Sequence, residues 1–356
     1  FTKEQAPFTE SQIAPPPGGK LIGPQCEDDC VKAVLRPVSE KQTDSGTLYD
    51  FGINHTGGLH IRIEAKAGDV VHIRYAEVLN ENGNPNFETS AWHDKNKYTG
   101  QRRDLYQENR YILKEGMNEI SPLFSWYCYR YALIEKPRHA KMHTLESMFI
   151  YMDVKENGAF SCGEESFNRL NRMFLQTLCC NLHSGIVTDC PHREKRPYTG
   201  DGQLIMKAAY YNLDTIAFFR KWLEDIVDSQ SPEGRIPNTA PHLGGGGGYA
   251  WGNAVCYVTK YLYAFTGDTA IVKKSYGAIL RWLSYCEKHR DGDYIIRSNS
   301  HDWLLGDWLA PEMIASDVYY INTVAYLQAV EIAAELAEIA EPNRVEALKT
   351  LSAAIK

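Results

Sequence analysis

No apolar run in the 356 residues approaches the ~20 that a membrane-spanning helix needs, so a span is not expected. A basic block is missing too. With a formal charge of −7 and a pI near 5.9, the chain lacks the cationic surface that nucleic-acid binding requires. The nine cysteines are odd in number and show none of the paired spacing of a zinc site. Cys26 and Cys30 are spaced to bridge, whereas Cys179 and Cys180 fall in a helical pattern and read as core; the redox compartment stays open. Phe1 is not a start methionine, so a trimmed N-terminus is expected, with any signal peptide outside this sequence. The glycine run at 244–248 has no strand before it and no Lys-Ser/Thr after it, which argues against a phosphate loop. Such a run lets the backbone pass close to a ligand or move as a lid.

What is present is 44% hydrophobic and long enough for two domains. Residues 1–35, with Pro15-Pro16-Pro17-Gly18-Gly19, read as an arm or linker. Over 36–156 the period is two: Leu59, Ile61 and Ile63 alternate with His60, Arg62 and Glu64, and Val71, Ile73 and Tyr75 alternate with His72 and Arg74. Ala67-Gly68-Asp69 reads as a tight turn joining these two runs in a hairpin. Further strands are expected at 129–135 and 147–154, which together predict an antiparallel β-sandwich. From 157 to 356 the period becomes helical, with helices expected at 165–182, 203–212, 214–229, 249–265, 270–289 and 318–340, and a last one opening at Pro342. Paired helices of this kind predict an (α/α)6 barrel, here incomplete and truncated at the C-terminus. On that reading Phe167, Phe174, Leu178 and the inner side of 318–336 are left uncovered. The chain alone is then expected to be inactive and poorly soluble or oligomeric.

Between the first two helices lies Thr188-Asp189-Cys190-Pro191-His192-Arg193-Glu194-Lys195-Arg196-Pro197-Tyr198-Thr199-Gly200-Asp201, with three carboxylates, and prolines that break a helix. A solvated charged turn is the plain reading of such a composition. A rigid ionisable loop held between helices is also a usual place for chemistry. Asp189, Glu194 and Asp201 supply the pair of carboxyls that a glycosidase needs, one to protonate the leaving oxygen and one to activate water or attack the sugar. Mutual repulsion raises a carboxyl pKa, while Arg193 and Lys195 act in the opposite sense if they point the same way. A Cys190 nucleophile paired with His192, or Asp189, Cys190 and His192 as metal ligands, are weaker readings of the same residues. Trp251 and the pairs Asp302-Trp303 and Asp307-Trp308 place indole faces beside acceptors, as sugar stacking requires, although a tryptophan is more often core.

Asp189-Cys190-Pro191-His192-Arg193-Glu194 with Tyr198-Thr199-Gly200-Asp201 resembles the signature of the α-L-rhamnosidases of glycoside hydrolase family 78. Trp251-Gly252-Asn253 and Gly306-Asp307-Trp308 fall where that family has tryptophan loops. Tyr49-Asp50-Phe51-Gly52-Ile53-Asn54-His55-Thr56-Gly57 with Ala76-Glu77-Val78-Leu79 resembles its β-domain. The resemblance implies inverting hydrolysis of terminal α-L-rhamnose from a glycan or glycoside, outside the cytoplasm (periplasmic or extracellular); no cofactor and no metal-ligand set is assigned, and bound calcium is left open. It implies Glu194 as the general acid, with Asp189, Arg193, Tyr198, Asp201, Trp251, Asp307 and Trp308 around the sugar. Tyr198 stands where many members have tryptophan, and Asn253 where many have aspartate. The family's general base is a glutamate on a later part of the barrel that no segment here matches; robust hydrolysis by the isolated chain would instead place the base among Asp302, Asp307 and Glu312. A sugar-binding module without turnover, or a related helical-barrel lyase or uronide hydrolase, are the alternatives.

Overall fold

The computed structural model describes residues 15, 18, 22–95, 100–241, 248–297, 302–308 and 316–356. Ten strands come first: β1 (Asp29–Leu35), β2 (Ser39–Thr43), β3 (Gly46–Ala65), β4 (Val70–Ala76), β5 (Trp92–Lys95), β6 (Arg102–Leu105), β7 (Glu108–Ile112), β8 (Gly116–Ile120), β9 (Tyr127–Glu135) and β10 (Lys141–Met152). Helix α1 (Glu165–Asn181) and a small hairpin of β11 (Leu182–His183) and β12 (Ile186–Val187) lead to α2 (Thr199–Asn212) and α3 (Ile216–Asp228). Then come α4 (Tyr249–Gly252), α5 (Ala254–Thr266), α6 (Thr269–Lys288), α7 (Val318–Ala340) and α8 (Val345–Ile355). Antiparallel β followed by α is the order that the change of period predicts. Among the described residues, no helix is long and apolar enough to cross a membrane.

Eight strands form one curled antiparallel sheet, ordered β1-β10-β3-β9-β4-β7, with β2 and β8 also on β3; β5 and β6 pair separately. The curl follows from β3, whose 20 residues exceed what one flat layer uses. Its first half pairs with β2 and β9 and its second half with β10 and β8, and the register with β9 breaks between Asp50 and His55. Alternation works as expected: Leu59, Ile61, Ile63, Val71, Ile73 and Tyr75 all face the core inside the curl. The expected β3–β4 hairpin, however, does not form. β9 lies between the two strands, and the 66–69 turn carries the chain across it, held by the Asp69 carboxylate accepting from the Lys66 N–H at 2.8 Å.

The helical half has its own core, centred on Trp222, Tyr249, Trp282 and Tyr326. Helix α2 begins at Thr199, four residues before the expected start, because Thr199 is fastened to a distant segment: its N–H and hydroxyl both reach the Asn238 carbonyl, at 2.8 and 3.0 Å. The helix expected over 249–265 is broken at Asn253. Its amide donates to Ala325 O on α7 at 2.6 Å and accepts from the Trp282 indole on α6 at 2.9 Å. The expected uncovered face is only partly there. Phe167 is 58% exposed, but Leu178 is 4% and Leu336 1% exposed, packed into the helical core. Cys26 and Cys30 do not bridge; all nine cysteines are free thiols.

The two halves meet through α1 and the β11–β12 hairpin. Gln176 donates to Asn54 O at 2.8 Å, and the buried His183 ring pairs with Thr56 Oγ1 at 2.9 Å and Asp29 Oδ2 at 3.1 Å. Trp126, just before β9, stacks on that ring with centroids 3.9 Å apart.

Candidate active site

The segment after β12 forms a closed loop. Asp189 ties it: its N–H donates to Arg196 O at 2.9 Å, its Oδ1 accepts from Arg196 N at 3.0 Å, and its Oδ2 accepts from the Cys190 thiol at 3.1 Å. The Cys190 carbonyl accepts from the Lys195 N–H, and its sulfur from the Glu194 N–H. Asp189 is thus the strut that closes the loop. The thiol beside it is pushed up to about 12, first by burial and then by neighbouring carboxylate charge, so it is no nucleophile near neutral pH. His192 does not serve it, because its ring turns to Glu77, Nδ1 to Oε2 at 3.5 Å. The Cys190–His192 nucleophile and the Asp189–Cys190–His192 metal set both fail on this geometry. Asp189, Cys190 and Glu194 do bring one donor atom each within 4.8 Å of one another. A thiol held neutral is a poor third ligand for a hard cation, and no chemistry is assigned to one here.

Glu194 sits half-buried at the edge of this loop. Its Oε1 accepts from Arg193 at 3.3 Å and its Oε2 from the Tyr198 hydroxyl at 3.4 Å. Lys195 takes another direction. In the left-handed region at φ 54°, it sends its ammonium to the Trp126 carbonyl and over the Trp126 ring, 4.2 Å from the centroid. Burial there lowers its pKa to about 8. Of the two flanking cations, only Arg193 pairs with Glu194.

Asp201 belongs to the first turn of α2 rather than to the loop. Burial raises its pKa to about 6, with the charges of Asp189 and Glu194 adding to the effect, so the three carboxylates do converge. Trp251, on α4, covers the backbone just before it: a Cβ on Gly200 would lie 2.5 Å from the indole, so only glycine admits this contact. The indole N–H reaches no acceptor in hydrogen-bond geometry, although it is near enough to draw the Asp201 pKa down a little.

Other expectations separate from this cluster. Asn253 is used up between α6 and α7 and presents nothing to a ligand. Asp302 is buried and held by Arg235 at 2.7 Å and Tyr285 at 2.6 Å, a strut rather than a free base. Asp307 accepts from the Ser316 N–H at 2.6 Å, and among the described residues no hydrogen bond or ion pair joins it or Trp308 to 189–201. Trp303 and Trp308 are both more than half exposed. Glu312 and four of the five run glycines lie outside the described residues. The fifth, Gly248, passes against Asn322 and Leu304 of the chain itself. Sequence reasoning missed Trp126 and His183, which no local pattern marks, and placed Glu77 only in a β-domain motif without its contact to His192.

Both halves of the chain are similar to known proteins. The bacterial α-L-rhamnosidase six-hairpin glycosidase domain matches residues 155–355, and the bacterial α-L-rhamnosidase concanavalin-like domain matches residues 40–151. An α-L-rhamnosidase of Formosa agariphila is 29% identical over 314 residues, which cover 81% of this chain and 32% of that protein. One of Streptomyces avermitilis is 28% identical over 312 residues, covering 86% and 29%. The solved α-L-rhamnosidase of Dictyoglumus thermophilum superimposes with a TM-score of 0.84 at 27% identity, over 96% of this chain and 38% of that one. That of Aspergillus terreus, at 22% identity and a TM-score of 0.80 over 93% and 39%, shares the fold. The chain spans about a third of the length of the curated relatives it matches. Since the six-hairpin domain alone accounts for more than half of these residues, and the sheet before it matches the companion domain, the chain belongs to the bacterial α-L-rhamnosidases of glycoside hydrolase family 78.

Proposed function

We propose that this chain carries the acid side of an active site that removes terminal α-L-rhamnose from glycans or glycosides with inversion. The observation that supports this best is Glu194: a half-buried carboxyl in reach of one guanidinium and one hydroxyl, on a loop fixed by Asp189. Glu194 is the proton donor in this reading, and Arg193, Tyr198, Asp201 and Trp251 surround the sugar. Asp189 is too close to be the base. Its nearest donor atom lies within 4.8 Å of that of Glu194, whereas inverting pairs stand roughly 6.5–9.5 Å apart, and both its oxygens are already engaged. Asp189 therefore does not serve as the base. In the same reading the curled sheet is a sandwich-type domain. The helices form an arc of an (α/α)6 barrel, with α2, α5 and α7 adjacent on its inner side.

The test uses the protein that bears this chain. Glu194→Gln should cut turnover by about a hundredfold or more on rhamnosides with poor leaving groups and far less on an activated aryl rhamnoside, which needs little donated proton. Equal losses on both would remove Glu194 from the acid role. Proton NMR of the first product formed should show the β anomer; α-rhamnose would rule out inversion. Rhamnose binding by calorimetry with no hydrolysis of either substrate would favour the binding module.

A further inference from the structure

Two thiols that the proposed reaction does not use meet where the sheet packs on the first helix. Cys128 on β9 is 1% exposed and Cys180 on α1 is 4% exposed. The register of β9 on β3 sets Cys128 opposite Thr56, and directly opposed residues of an antiparallel pair point to the same face. Thr56 faces the helical half, where its hydroxyl meets the His183 ring at 2.9 Å, so Cys128 faces it as well. The Gln107 side chain holds Cys128 in place, accepting from its N–H and donating to its carbonyl, both at 2.8 Å. From the other side comes Cys180, one turn of α1 beyond Gln176. The Gln176 amide donates to Asn54 O at 2.8 Å and to the Cys180 sulfur at 3.7 Å. The Cys128 sulfur lies 3.6 Å from Glu77 Oε1, which also accepts from the Asn54 amide at 2.8 Å. Both sulfurs are thus fastened around Asn54, within hydrogen-bond reach of each other.

We infer that Cys128 and Cys180 are a redox pair, which a small-molecule disulfide such as glutathione disulfide closes to a bond stapling the sheet to the helical half. The inference is independent of the hydrolysis proposed above. In the first step the Cys180 thiolate attacks one sulfur of the oxidant, and the other sulfur leaves with the bonding electron pair. The Cys128 thiolate then attacks the Cys180 sulfur of the mixed disulfide and expels the second. Two cysteine thiols are oxidised, one disulfide is reduced to two thiols, and the two cysteine protons end on those thiols. Cys180 fits the attacking role: the hydrogen bond from Cys128 draws its pKa down, while the same contact and burial hold that of Cys128 well up. Cys179 stands apart, with its sulfur turned to the Tyr151 hydroxyl. Since neither paired sulfur is open to solvent, exchange takes place as the sheet and α1 dock or part. The bond lies beside the contact that carries the Glu194 loop. Lys195 meets the Trp126 carbonyl and sits 5.1 Å from the Tyr127 ring centroid, on the two residues just before Cys128.

The experiment holds the full-length protein in glutathione buffers of graded ratio, just below its melting temperature so that buried groups exchange. The protein is then alkylated and digested without reduction. Fragmentation mass spectrometry should find a peptide joined through Cys128 to Cys180 at the oxidising end, absent at the reducing end and regained on reoxidation. The oxidised form should melt about five degrees or more above the reduced one, as closing a loop of about fifty residues predicts. Cys128→Ala and Cys180→Ala should each abolish the link and the redox dependence of melting, whereas Cys179→Ala should keep both. No Cys128–Cys180 peptide at any ratio, or a bond from Cys128 to Cys179 instead, overturns the assignment. An oxidised form that melts no higher than the reduced one overturns it too. The peptide map of the parent reads the bond directly, so it decides the question even where an alanine variant fails to fold.

Discussion

Asp201 holds its proton where an ordinary aspartate has lost it. Burial, helped by Asp189, lifts it from 3.8 to about 6. A folded state that binds the proton more tightly than the unfolded chain loses stability as the pH rises between these two values. The stabilising proton is fully present below pH 3.8 and gone above about 6. Asp201→Asn should therefore melt a few degrees higher than the parent above about pH 7, with the two converging near about pH 4. Coincident melting curves at both pH values would mean that the carboxylate ionises in place without penalty. In the reading proposed here the same change weakens sugar binding and turnover for every leaving group, unlike Glu194→Gln.

Asn253 shows how an element boundary is set by contacts that no local pattern reveals. Its side chain fills the break between α4 and α5 and bonds to α6 and α7 at once. Asn253→Asp keeps the shape but loses the donor and places a charge at a site 1% exposed, so a loss of about 3 kcal/mol or more is expected by chemical denaturation. A loss under about 1 kcal/mol would mean that water or a cation reaches the site. Strand and helix identities were legible because Leu59, Ile61 and Ile63 keep period two, and Phe219, Leu223 and Ile226 keep the helical period. The starts and pairings were not. Thr199 begins α2 by grasping Asn238, and β9 enters between β3 and β4 from more than fifty residues further on.

The two halves of the molecule are joined by polar contacts that are themselves buried, with the His183 ring at their centre, bonded to Thr56 and Asp29 and stacked by Trp126. His183→Ala strands those partners and opens a cavity. Calorimetry should then show a single transition splitting in two, with about 2–4 kcal/mol lost from the earlier one. One unsplit transition at the parent temperature would make the interface dispensable. Asp189, Glu194 and Asp201 were legible because one short segment carries them all. The partners across the interface were not, since Lys195 meets Trp126 from 69 residues away. That lysine has a practical consequence. Because it pins the Glu194 loop to the edge of the sheet, the helical half does not hold its own chemistry in place. A chimaera that transplants residues 157–356 onto another protein's β-domain should misplace Glu194 unless a tryptophan comes with the new sheet, in position to receive the lysine.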